Sequence, residues 1–189
     1  MPVEDVAQYD WAAEDSVFGP GATVSLVAGL GPARALELLA PGGATDVGSA
    51  AEVRAWADHV VGPPWASVVE AWTTADWTVL VEDSSGSGAT LDGAVESLSV
   101  NGRAAVVSSS INADMWFGYA VDGVLVRQFE PLMYDVMGQV GEEEGLAFGQ
   151  REDRWLQAAL LLMERLTGVV LSPDELRGTA PDRLAIGFC

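Results

Sequence analysis

The sequence predicts a single α+β domain: a mixed or largely antiparallel sheet of about five or six strands, with helices mainly on one face. Three observations lead there. β-Branched and aromatic runs recur between residues 22 and 129, separated by Gly, Pro and Asn turn signals. The broadest helical stripe comes late, from about Glu152 to Thr167. With 189 residues, 49% of them hydrophobic, the chain has the size of one domain and can fill a core without disulfide or metal support.

Residues 1–20 read as an N-terminal extension. Its acidic segment, Glu4 to Asp15, carries Val6, Tyr9 and Trp11 and predicts a short helix, closed by Gly19-Pro20-Gly21. Ala22 to Ala28 alternates, with Val24 and Leu26 on one side, and predicts a strand. Pro32 suits the first turn of a helix whose apolar side is Ala35, Leu36, Leu38 and Leu39; Pro41-Gly42-Gly43 stops it. Thr45 or Asp46 caps a second helix bearing Val53, Trp56, Ala57 and Val60, with His59, the sole histidine, near its end. Ser67 to Trp72 and Trp77 to Glu82 predict two strands joined through Thr73-Thr74-Ala75-Asp76. A loop of Ser and Gly follows, then a helix from about Thr90 to Leu98, weakened by Gly93. Asn101-Gly102 turns into a strand over Arg103 to Ser109.

The next stretch organises the rest. Met115 to Val121 and Val124 to Phe129 flank Asp122-Gly123, the pair that supplies two positive φ angles for a type I′ hairpin. In that register Val121 faces Val124, Tyr119 faces Val126 and Phe117 faces Gln128. On the other side Ala120 meets Leu125, Gly118 meets Arg127 and Trp116 meets Phe129. A hairpin apolar on both faces needs cover on both, or a ligand on one. Pro131 ends the second strand, because proline cannot donate to the ladder. Residues 133–150, with Glu142-Glu143-Glu144 among four glycines, read as a mobile acidic loop. Gly168 closes the late helix, and Ser172-Pro173-Asp174-Glu175 opens a last short one.

Formal charge is −19, and all nine basic residues are arginine. Such a surface repels phosphate backbones, which argues against direct nucleic-acid binding. It attracts a basic protein or peptide, although solubility and a GC-rich coding bias produce the same composition. No apolar run reaches roughly 18 residues, so no membrane span is expected. Met1 to Asp5 lacks the basic start of a signal peptide, and the one cysteine, Cys189, rules out a disulfide framework. A cytoplasmic location follows.

The chemistry-bearing motifs are sparse. Gly29, Gly31, Gly42 and Gly43 follow a strand, but their spacing fits no phosphate loop and no lysine is present. His59 has no second His or Cys to join it, so no metal site and no cofactor are expected.

Taken in order, several segments resemble an uncharacterised actinobacterial domain family of unknown function. They are Val24 to Pro32, Trp77 to Glu82, Val106-Val107-Ser108, Asn112-Ala113, Tyr119 to Gly123, Phe129 to Leu132 and Glu164 to Val169. The resemblance spans residues 20 to 176. It implies one bacterial, cytoplasmic domain and carries no chemistry with it.

Two functional readings stand against each other. In the first, the protein is a non-catalytic acidic module that binds a partner, as immunity proteins or specialised chaperones do. Seven tryptophans support it, and Trp116, Tyr119, Trp65 and Phe129 are the candidate contacts. In the second, Asp114 and Glu130 flank the hairpin as an acid–base pair with Arg127 beside them. That arrangement suits a small isomerase or cyclase acting on an apolar metabolite. Mimicry of DNA is a third reading and rests on charge alone. An exposed apolar patch ringed by acids would favour the first; a closed pocket walled by the trio would favour the second.

Overall fold

A computed structural model describes residues 6–14, 18, 21–40, 44–60, 66–83, 93–110, 114–134, 138–146, 148, 154–178 and 182–188. Its strands are β1 (Ala22–Ala28), β2 (Gly48–Ser49), β3 (Ser67–Thr74), β4 (Trp77–Asp83), β5 (Arg103–Ser109), β6 (Met115–Val121), β7 (Val124–Phe129) and β8 (Leu184–Phe188). They form one sheet in the order β2-β8-β3-β4-β1-β5-β6-β7, antiparallel at every pairing. The expectation of about five or six strands is therefore corrected to eight. The two additions are β2, only two residues long, and β8, a five-residue run near the chain end with no turn signal to pair it locally.

The helices are α1 (Trp11–Glu14), α2 (Pro32–Leu39), α3 (Ala50–Ala57), α4 (Ala94–Leu98), α5 (Trp155–Thr167) and α6 (Pro173–Arg177). They cover both faces of the sheet, not mainly one. Val24 and Leu26 of β1 point toward α5 with Val79, Val107 and Phe117. Val27 points the other way, with Leu80, Val106, Ala35 and Leu36 of α2, and Leu98 of α4. Strand alternation hides this arrangement, because β1, β4 and β5 are apolar on both sides and each side needs its own cover.

Local chemistry explains the element ends. Ser49, not Thr45 or Asp46, caps α3: its Oγ accepts the Glu52 N–H, and the Glu52 carboxylate accepts the Ser49 N–H at 3.2 Å. The β3–β4 turn is shorter than predicted, with β3 running on to Thr74 and Ala75 taking a positive φ of 48°. α5 buries every residue except Glu164 and Arg165, as its wide stripe requires, and Gly168 ends it at φ 76°. The N-terminal segment is docked on α5: Tyr9 is buried and its hydroxyl donates to Glu164 Oε2 at 2.8 Å, while Arg154 Nη2 donates to Asp10 Oδ1 at 2.9 Å.

Candidate functional site

The β6–β7 hairpin closes through Asp122 (φ 50°) and Gly123 (φ 80°), as its sequence demands. Val121 pairs with Val124 and Ala120 with Leu125; the ladder then slips, so that Tyr119 pairs with Arg127 and Phe117 with Phe129. Val126 is the extra residue of a bulge. The predicted pairs Tyr119–Val126, Phe117–Gln128, Gly118–Arg127 and Trp116–Phe129 are thereby corrected. An inserted residue exchanges the faces of everything after it, so Arg127 and Phe129 turn toward α5 instead of toward Trp116.

There Arg127, only 5% exposed, meets Glu143, whose side chain is fully buried. Arg127 Nε donates to Glu143 Oε1 at 2.9 Å and Nη2 to Oε2 at 3.2 Å. The Tyr134 hydroxyl and the Val140 N–H add donors at 2.6 and 3.0 Å. The guanidinium also lies 4.6 Å from the centroid of Phe129 and 5.3 Å from that of Tyr134. Phe117, Phe129, Tyr134 and Phe148 pack ring on ring around the pair. Burial, then the hydrogen bond to Glu143, pushes the Tyr134 phenol up to about 12.

The acidic run Glu142-Glu143-Glu144 is thus not a solvated loop throughout. Residues Gly141–Glu143 form a 3-10 turn, Glu143 goes inward, and Arg165 of α5 donates to the Glu142 and Glu144 carbonyls at 2.7 and 2.9 Å. The sequence holds little sign of this pairing, since Arg127 and Glu143 lie 16 residues apart without periodicity. The aromatic residues Tyr134 and Phe148 bracketing the acids were the available signal.

The other candidates are dispersed. Asp114 is exposed and closes a turn with Ser110, whose Oγ donates to Oδ2 at 3.2 Å. Glu130 is half-buried, and its carbonyl accepts the Met133 N–H at 3.0 Å. Tyr119 and Phe129 are core residues beside α5. Trp116 is half-buried on the opposite face, its indole laid over Gly118. Trp65 lies outside the described residues. His59 is exposed and its Nδ1 donates to the Ala55 carbonyl.

A second buried ion pair went unread in the sequence. Glu70 of β3 binds Arg54 of α3 through Oε1 and Arg183, just before β8, through Oε2 at 3.1 Å. Glu70 stands within the predicted Ser67 to Trp72 strand, and Arg183 reaches it only because β8 returns to lie beside β3.

The last strand of the order, β7, offers a different surface. Val124, Leu125 and Val126 are 65%, 37% and 44% exposed. Val100, also exposed, has its Cγ2 3.6 Å from the position of a Cβ on Gly123, which carries the patch onto the turn after α4. Asp122 is exposed at the hairpin tip, and Glu96 of α4 is half-buried nearby, with its carbonyl 4.0 Å from that same position.

Among the described residues no helix is long and apolar enough to cross a membrane, and no group of three or more His, Cys, Asp or Glu is placed to hold a metal ion. No curated protein and no solved structure matches the chain. Residues 4–181 match DUF6461, a family of unknown function, and the chain belongs to that family.

Proposed function

We propose that the protein is a non-catalytic acidic binding module that takes a basic protein or peptide along the outer edge of β7. The observation that carries this reading is the run of exposed aliphatic residues Val124, Leu125 and Val126 on the terminal strand of the sheet. Edge strands are ordinarily guarded by charge, proline or cover, because their free N–H and C=O groups recruit other chains. Within the strand such devices begin at the bulge at Val126 and the inward-pointing Arg127, and the side chains of Val124 and Leu125 before them face water. An incoming extended segment would gain backbone hydrogen bonds and bury those side chains. The chain's −19 charge selects a cationic one. The other reading, an isomerase or cyclase built on Asp114 and Glu130, gains nothing from Arg127, whose guanidinium is held by Glu143.

The test is capture from native extract by the wild type and by a Val124→Asn/Val126→Asn variant, at low and high salt. One basic protein held by the wild type at low salt, released by high salt and lost from the variant supports the edge as the dock. Equal retention by both proteins, or retention by neither, removes it.

A further inference from the structure

Two carboxylates stand at the ends of the edge strand β7. Asp122 is exposed at the hairpin tip, and Glu130 is half-buried at the far end. Among the described residues neither carboxylate takes part in an ion pair or a hydrogen bond; the Asp122 N–H bonds the Gly102 carbonyl and the Glu130 carbonyl accepts the Met133 N–H. Glu130 follows Phe129 in extended conformation, at φ −91° and ψ 121°. Alternation therefore puts its side chain on the α2 side of the sheet, with Leu125 and Gln128. Val100 and Glu96 border the tip on that side. One row along the edge thus reads acid, aliphatic, amide, acid. The arginines nearby are engaged elsewhere. Arg103 opens β5 opposite Val121 but donates to the Leu166 carbonyl of α5 at 3.4 Å and lies 5.2 Å from the centroid of Trp77, while Arg127 is held by Glu143.

Resting on the reading of β7 as a dock, we propose that the edge selects an extended segment with two basic residues six positions apart and an aliphatic residue two positions inside one of them. The ladder gives the spacing. Leu125 stands level with Ala120 and Phe129 with Phe117. One step beyond, Glu130 reaches the level of Trp116, six residues along β6 from Asp122, or about 20 Å at the rise of a strand. An even separation keeps both basic side chains of an added strand on the α2 side, where each meets one acid; an odd separation turns one of them to the α5 side. The aliphatic residue falls between Leu125 and Val100, which are 37% and 46% exposed, and covers both. The acids are a strand length apart, so they read spacing as well as charge.

The test titrates blocked synthetic peptides of identical composition into ¹⁵N-labelled full-length protein and follows the amide resonances of β7. One set carries lysines six apart and the other five apart, each with its leucine two positions inside the first or the last lysine, so that both strand directions are sampled. The six-apart set is expected to move the β7 resonances and to bind more tightly than the five-apart set. Asp122→Asn, which keeps a residue suited to the positive φ of the turn, and Glu130→Gln should each weaken the six-apart peptide roughly twofold to fivefold, the range of an exposed ion pair. Asp58→Asn/Asp76→Asn removes two exposed charges away from β7 and should leave the affinity as it is. Equal affinity for the two spacings, or an equal loss in the Asp58/Asp76 variant, overturns the selection by spacing and leaves the edge as a dock for any cationic strand. Resonances of β7 that no peptide moves overturn the selection as well, and the capture experiment then decides the edge by itself.

Discussion

Arg127 and Glu143 carry opposite charges into a ring of aromatic side chains, where neither is tolerable without the other. Breaking such a pair leaves an uncompensated charge, so Glu143→Ala should cost about 3–5 kcal/mol by urea denaturation. Replacing both partners with Arg127→Met/Glu143→Leu should recover most of that loss; a double variant as unstable as the single one would mean that the pair is needed for more than charge balance. Tyr134 reports on the same cluster. Its folded pKa lies above the ordinary 10.0, at about 12, so the folded state keeps a proton that the unfolded state gives up. The phenol's contribution is complete below pH 10 and is lost as pH climbs through about 12. Stability should therefore fall across that window in the wild type and fall less steeply in Tyr134→Phe. The absorbance difference between the two proteins at alkaline pH should show a phenol titrating late.

At the scale of elements, the hairpin shows how a strand's partner constrains its composition. Gly118 of β6 is small because Trp116 lies across it: a Cβ there would come within 2.8 Å of the indole Cζ2 and Cζ3. Gly118→Ala should lift the half-buried Trp116 ring into water, at a cost of about 1–3 kcal/mol. Its emission should shift to the red by comparison with the wild type, and an unchanged spectrum would place the indole elsewhere. Most of the sheet was readable from local pattern, since β1, β3 to β5 and the Asp122-Gly123 turn obey alternation and turn chemistry. The candidate site was much less so. A bulge leaves no trace in the strand's own composition, and one undetected residue at Val126 moved Arg127 and Phe129 to the wrong face. β8 was missed for another reason: its partners β2 and β3 are more than a hundred residues away in sequence, and local pattern says nothing of such returns.

At the scale of the whole molecule, charge and core pull against each other. A net −19 repels itself, and this repulsion is weakest when salt screens it. The melting temperature should rise as sodium chloride is raised from low to physiological strength, while a complex with a basic partner should weaken over the same range. Calorimetry on the free protein and on the captured complex would show the two trends with opposite sign. Parallel trends would mean that the partner is held by apolar contact alone.

The extra residue in β7 gives the hairpin an arithmetic of its own. Side chains alternate, so the face on which Arg127 lands depends on whether the count from the turn is odd or even. Removing Val126 would take out the bulge and bring Leu125 and Arg127 into regular alternation, so that Arg127 stays opposite Tyr119 on the α5 side with Glu143. Deleting both Leu125 and Val126 would instead set Arg127 opposite Ala120, on the α2 side and away from Glu143, and should do more harm than deleting Val126 alone. For this family, the length of β7 read together with its bulge is then a more telling property to compare between chains than its composition, because the number of paired positions between the turn and Arg127 decides whether the buried pair can exist.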